Sequence, residues 1–417
     1  MLFFPERIAL AGVLVYLVLF AVAPLDVVFL PAWDSLAYIG LSYSAFLLGC
    51  AFWRRARIGG ISRIAKEVKL SSGAFWTYSA LGAIGISIRV YDRYINRGAS
   101  AVESALEVRE VLADASAGPL ASLGAVLYPF CYIPLMLIWG GFVYRSNSKF
   151  AKWVAVVLFV LPALDSLLLL SRSQLIVACS MMYFAATCAL YEGRSFPRQM
   201  GLPVIAGVLG LVGVSVFAFL TRLDQMNMDL AFSILNSVYG YTIKPNELAL
   251  HLMSQGDTLG QVVASVMPIF QYYLHGLFEF GLLWDRPDGQ EFGYGVGHFA
   301  PYLKALSVFG LTESLSTESL YYRSGIFTTF FGTLWMDFGW FGPLVMLFFG
   351  LICKYVAEKA RGGYLQALPI YVYFCVVIFF MPVVSFLISA QGMYVVNTFV
   401  LFWVLTGNRV RRTAVKR

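Results

Sequence analysis

The stretch WVAVVLFVLPALDSLLLLSRSQLIVACSMMYFAATCAL, Trp153 to Leu190, decides what kind of chain this is. Its charged residues are Asp165 and Arg172 alone. On either side of SRSQ lies an apolar run, Trp153–Leu170 and Leu175–Leu190. Each comes close to the roughly 20 residues that carry a helix across about 30 Å of hydrocarbon. Two such helices joined by a short polar tip make a tight hairpin. Each helix satisfies its own backbone hydrogen bonds, as a lipid environment demands.

The same reading extends in both directions. Ile8–Ala23, Leu36–Trp53, Ala74–Ile88, Leu120–Val143 and Leu202–Leu220 read as spans, as do Phe341–Val356, Leu368–Ile388 and Met393–Thr406. The 417 residues are 59% hydrophobic and 13% charged, where a soluble protein averages about 25% charged. The expected fold is an all-α polytopic membrane protein with about ten (10–12) transmembrane helices. Residues 1–220 form an N-terminal bundle of about seven spans, 221–340 a large loop, and 341–417 about three further spans with a basic tail. Three segments are expected to lie on or dip into the membrane. One is an amphipathic helix over about 100–114. Another is Leu259–Leu283, interrupted by Pro268 and Gly276. The third is Ile326–Phe338, ended by Gly339, Gly342 and Pro343.

The charge pattern sets the expected orientation. Arg54, Arg55, Arg57, Arg63, Lys66 and Lys69 crowd one loop against a single acid, Glu67, and the closing NRVRRTAVKR has no acid at all. Alternate loops share this bias, and about two-thirds of the basic residues fall on the side of the N-terminus. The positive-inside rule then puts both termini in the cytoplasm and the large loop outside. The net charge of +7 is therefore a topology signal, and nucleic acid is not expected as a partner. The six cysteines, Cys50, Cys131, Cys179, Cys188, Cys353 and Cys375, sit in or at the ends of apolar segments without a CxxC, so no disulfide or zinc site is expected.

Titratable groups gather in the loop from Thr221 to Gly325, which holds all three histidines, His251, His275 and His298. A membrane chain keeps such groups where chemistry or polar binding occurs. Arg172, flanked by Ser171 and Ser173 at the hairpin tip, has the planar donor array that grips phosphate. Asp165 would orient or neutralise it. Arg222 and Arg323 bracket the large loop and are expected at the same depth, so the three arginines together suit a doubly charged phosphate group. His275 and Glu279, in YYLHGLFEFGLL, share a helix face. They are candidates for a general base acting on a sugar hydroxyl, or alternatively for a structural His–Glu hydrogen bond. His298 lies in GYGVGHF, where glycines let a backbone approach a ligand closely. Glu247 and His251, in KPNELALH, repeat the four-residue spacing. No metal site is expected, because there is no HxxxH or DxD pattern.

Three segments carry a family resemblance: LLLLSRSQLI around Arg172, QYYLHGLFEF around His275, and RSGIFTTFFGTLWMDFGWFGPLVMLFFGLI before a late span. With many spans and a large outer loop in its second half, the chain resembles the O-antigen polymerase family, the oligosaccharide repeat-unit polymerases. The resemblance implies a GT-C-like glycosyltransferase of the bacterial inner membrane. Such an enzyme moves a nascent glycan from its polyprenyl diphosphate carrier to a new carrier-linked repeat unit on the periplasmic face, for O-antigen or capsule. It implies polyprenyl-diphosphate-linked oligosaccharide as both donor and acceptor, membrane lipid as surroundings, a chain-length regulator protein as partner, and no metal or nucleotide sugar as cofactor. Arg172, Arg222, Arg323, His298 and Glu247 would bind substrate, and His275 and Glu279 would be catalytic. An O-antigen ligase shares this plan and differs in its acceptor. A flippase or transporter for lipid-linked sugars would instead favour paired repeats and charges along a central path.

Overall fold

A computed structural model describes residues 4–55, 72–99, 118–139, 149–169, 171, 173–191, 237–255, 257–286, 291–308, 310–312, 326–361, 364–388 and 390–407. It also describes Arg323 and the positions 107–108, 111–112, 210, 213, 217, 221 and 234. Among the described residues the regular structure is helical apart from one two-stranded ribbon. In order, the elements begin with α1 (Pro5–Val22), β1 (Leu25–Val27), α2 (Trp33–Arg55) and α3 (Ser72–Tyr91), which runs on into a π-turn, Asp92–Asn96. Next come α4 (Pro119–Leu127), a tight turn Tyr128–Tyr132, α5 (Ile133–Trp139), α6 (Lys149–Leu168) and α7 (Ser173–Tyr191). The second half has β2 (Ile243–Pro245), α8 (Glu247–Ser254), α9 (Thr258–Trp284) and α10 (Val296–Val308). It closes with α11 (Phe330–Phe338), α12 (Gly342–Arg361), α13 (Leu368–Phe380) and α14 (Ala390–Gly407).

Five described helical segments are long and apolar enough to cross a membrane: Pro5–Val22, Trp33–Phe52, Pro119–Ile138, Lys149–Leu168 and Phe330–Arg361. Ser173–Cys188, Leu368–Phe380 and Gly392–Thr406 are shorter apolar helices. The expected span over 202–220 lies outside the described residues but for isolated positions, and so does most of the expected amphipathic helix over 100–114.

The helices meet through small residues, as helices without a hydrophobic driving force between them must. A Cβ added at Gly49 would come 2.1 Å from the Leu347 carbonyl oxygen, and one at Gly350 would come 2.2 Å from that of Phe46, so α2 and α12 touch backbone to backbone. Gly12 brings α1 equally close to Phe379 at the end of α13. Gly82 and Gly85 do the same for α3 against the Tyr128–Tyr132 turn. α13 is apolar all round and buried from Leu368 to Ile378, which makes it a central helix of the bundle. The hairpin read first in the sequence forms as α6 and α7, and its tip is stapled by Ser166 Oγ donating to the Ser171 carbonyl at 3.0 Å.

Three expectations about breaks meet the structure differently. The break at Gly339 is real: its φ of +50° lies in the left-handed region, α11 stops there, and α12 restarts at Gly342. The interruption expected at Pro268 and Gly276 does not occur, since α9 runs unbroken from Thr258 to Trp284 with Asp257 capping its first turn. Gly276 serves packing instead, because a Cβ there would come 2.5 Å from the Val383 carbonyl oxygen. The span expected to reach Ile388 is helical only to Phe380, and the chain then turns through Met381–Val383.

That early stop positions the site. Residues 326–329 are not helical either, and Phe330 N–H donates to the Met381 carbonyl at 3.0 Å. Thr328 Oγ1 donates to the Gly276 carbonyl at 3.3 Å. Two stretches of irregular backbone thus meet at Gly276 of α9, enclosed by protein. Non-helical backbone beside hydrocarbon is tolerated only in such enclosure or along a cavity. α9 and α11 run side by side from there, Gly276 beside Thr329 and Trp284 stacked on Trp335 at 4.0 Å. The ribbon closes this end of the bundle. β1 pairs antiparallel with β2, Leu25 opposite Pro245 and Val27 opposite Ile243, tying the large loop to the α1–α2 connection.

Candidate functional site

Two polar clusters lie at the ribbon end, one at each end of the α9–α11 pair. The first centres on Glu279 of α9, which is 6% exposed. Arg323 Nη1 donates to Glu279 Oε1 at 2.7 Å, and Thr242 Oγ1 donates to the same oxygen at 3.4 Å. The ribbon places Thr242 there, because its carbonyl accepts from Val28 N–H at 2.9 Å. Arg323 also donates to the Val238 carbonyl and lies over the Tyr241 ring at 5.0 Å. Burial pushes the Glu279 carboxyl up to about 7, while the Arg323 charge and the Thr242 hydrogen bond pull the other way. Glu279 therefore changes charge near neutrality.

His275, one turn earlier and fully buried, lies between the rings of Tyr239 and Phe327, each 4.3 Å from its own centroid to centroid. Its Nδ1 is 3.0 Å from the Gln271 carbonyl oxygen. A carbonyl only accepts, so Nδ1 carries the hydrogen and Nε2 presents its lone pair. Among the described residues Nε2 has no hydrogen-bond partner, so the His275–Glu279 hydrogen bond considered from the sequence is not made. Burial lowers the His275 pKa to about 4, against backbone hydrogen bonding at Gln271, Tyr272 and Phe327 that raises it, and the Arg323 charge adds a smaller lowering. The imidazole is neutral at physiological pH, a state suited to accepting a hydrogen bond from a hydroxyl.

The second cluster joins α10 to α11. Asp337 is 0% exposed. Its Oδ1 accepts from Gly297 N–H at 2.9 Å and its Oδ2 from His298 N–H at 2.7 Å, so it caps the first turn of α10 from a neighbouring helix. Oδ2 also faces His298 Nδ1. The glycine-rich run before His298, expected to admit a ligand, here admits Asp337: a Cβ on Gly297 would come 3.0 Å from Oδ1.

The structure places the remaining candidates as follows. Glu247 and His251 stand exposed on α8, with His251 Nε2 3.2 Å from Gln255 Nε2. Arg172 and Arg222 lie outside the described residues. Asp165, expected to serve Arg172, is held by two other arginines: its Oδ2 accepts from Arg89 Nε at 2.9 Å and from Arg93 Nη1 at 2.6 Å. Arg89 also lies over the Tyr128 ring at 4.3 Å. Asp337 and Thr242 did not stand out as site residues in the sequence. The available signal for Asp337 was a lone carboxylate inside the long apolar run 326–353. For Thr242 there was none.

Comparison of the chain with protein-family models, with curated proteins and with solved structures gives no match.

Proposed function

We propose that this protein is a bacterial inner-membrane polysaccharide polymerase of about ten spans that joins polyprenyl-diphosphate-linked oligosaccharide repeat units on the periplasmic face. The observation that carries the reading is the Glu279–Arg323 pair: a buried carboxyl met by a part-buried arginine beside a buried neutral histidine, assembled from separate parts of the large loop where two irregular segments meet between apolar helices. Ion pairs so placed in a membrane protein mark sites of polar binding or chemistry. Arg323 is 22% exposed on its side chain, and only Nη1 and Nη2 are engaged by the contacts above, so its donor array can also meet a phosphate oxygen.

The reaction asks three things of such a site. Negative charge builds on the carrier diphosphate as the glycosyl–oxygen bond breaks, and Arg323, with Arg172 and Arg222, would stabilise it. The acceptor hydroxyl must be held, which the His275 Nε2 lone pair suits. Its proton must pass to a base, a role the sequence offers to Glu279 and His275.

The test is the banding of lipopolysaccharide or capsule from a deletion strain complemented with wild type, Arg323→Ala or Glu279→Gln. A ladder restored by wild type and collapsed to one added repeat unit by the variants is the expected result. Complete loss of added units in the deletion strain points to a ligase or flippase, and full ladders from both variants remove this site from the reaction.

A further inference from the structure

Resting on the polymerase reading, we infer that the proton acceptor for the attacking sugar hydroxyl is His298, oriented by Asp337, rather than His275 or Glu279. Both oxygens of Asp337 are fixed by backbone N–H groups of α10, and Oδ2 also meets His298 Nδ1. A carboxylate so engaged accepts, so the imidazole carries its hydrogen on Nδ1 and presents Nε2 as a base. The ring cannot turn over without breaking that bond. Nε2 is buried and has no hydrogen-bond partner among the described residues. A buried acceptor held in one direction without a donor is the arrangement expected where a substrate hydroxyl completes the set.

The chain enters α10 through one strained residue. Tyr294 is the one non-glycine residue with positive φ among the described residues, at +48°, and it is followed by Gly295 at +95°. Strain of this kind persists where the surroundings over-determine a geometry, which is common at reaction sites.

The other candidates are worse placed to take a proton. His275 has a backbone carbonyl rather than a carboxylate on Nδ1, and an arginine nearby. Glu279 Oε1 is already occupied by Arg323 and Thr242. The two clusters lie on the same helix pair, Glu279 on α9 three residues past Gly276 and Asp337 near the end of α11.

In the step itself, the hydroxyl proton passes to His298 Nε2 as the oxygen bonds to the anomeric carbon. The bond from that carbon to the carrier phosphate oxygen breaks, and the diphosphate leaves with the electron pair. Asp337 stabilises the imidazolium that forms.

The experiment is chain extension by the full-length protein in lipid vesicles. It is supplied with carrier-linked repeat units extracted from the deletion strain. His298→Gln leaves both backbone bonds to Asp337 in place, and is expected to slow extension by about 10²–10⁴-fold. Asp337→Asn is expected to slow it at least about tenfold, by weakening the support for the imidazolium. His298→Gln loses one hydrogen bond to the hydroxyl, so a few-fold rise in KM is expected beside the much larger loss in kcat, whereas Asp337→Asn is expected to lower kcat with KM unchanged. Extension by His298→Gln within tenfold of wild type overturns the assignment, whatever Asp337→Asn does. A loss in His298→Gln that tracks only weaker substrate binding overturns it too. No polymer from the wild-type protein overturns the polymerase reading and this inference together, whereas polymer from wild type and His298→Gln alike overturns the inference alone.

Discussion

Replacing Arg323 with methionine keeps an apolar stem and removes the charge that Glu279 meets at 2.7 Å. The cost should depend on pH in a way the site dictates. With its folded value raised to about 7, above the ordinary 4.5, Glu279 favours the folded state fully below 4.5 and loses that contribution as pH rises towards 7. Above 7 the wild-type carboxylate is ionised and the curve flattens, because Arg323 is there to receive the charge. In Arg323→Met the carboxyl has no such partner and stays protonated. Holding that proton costs about 1.4 kcal/mol for each pH unit above 7. Below 7 both proteins hold a neutral carboxyl, and the difference falls to the lost hydrogen bonds, about 1 kcal/mol. The assay is thermal unfolding in detergent followed by the fluorescence of the nine tryptophans, between pH 5.5 and 9 at one scan rate. Glu279→Gln/Arg323→Met should lose the pH-dependent part. A deficit in Arg323→Met that is constant across this range, or that shrinks as pH rises, refutes the reasoning.

Three further substitutions test the frame. Gly276→Val puts a Cβ 2.5 Å from the Val383 carbonyl oxygen, and should cost about 1–3 kcal/mol in the same assay. Gly339→Ala forces a side chain onto a φ of +50° and to 2.8 Å from the Phe292 ring. It should cost at least about 1–2 kcal/mol, while Gly73→Ala, with nothing within 4 Å, should cost nothing measurable. Asp165→Asn leaves Arg89 and Arg93 facing one another without their shared carboxylate, and should destabilise the protein by about 3–5 kcal/mol. Asp165→Glu should recover part of this.

Local features were legible in the sequence. The SRSQ hairpin formed where the apolar runs placed it. The break near Gly339 could be read from Gly339, Gly342 and Pro343, because a left-handed residue and a ring without an N–H end helices by local chemistry. Pro268 misled for the converse reason. A proline removes one hydrogen bond, but a helix held on several sides by neighbours continues through it. Gly276 likewise marks a close approach of Val383, which only the tertiary arrangement reveals.

The site was legible residue by residue and illegible as a network. Glu279, Arg323, His275 and His298 all stood out as titratable groups in an apolar chain. Their partners did not, because each contact spans a long sequence separation: Arg323 to Glu279 crosses 44 residues and His298 to Asp337 crosses 39. The four-residue spacing of His275 and Glu279 suggested a mutual bond, yet backbone and ribbon offered each a better partner, Gln271 for one and Arg323 with Thr242 for the other. Asp165 lies near Arg172 in sequence, which is outside the described residues, and the fold brings it Arg89 and Arg93 from more than 70 residues away.

The most direct test of the central claim uses wild-type protein alone. Purified and reconstituted in vesicles with carrier-linked repeat units, and with no nucleotide sugar present, it should produce a ladder of carrier-linked glycans spaced by one repeat unit. It should release one polyprenyl diphosphate for each linkage formed. No ladder and no released carrier from folded protein supplied with authentic repeat units would contradict the account.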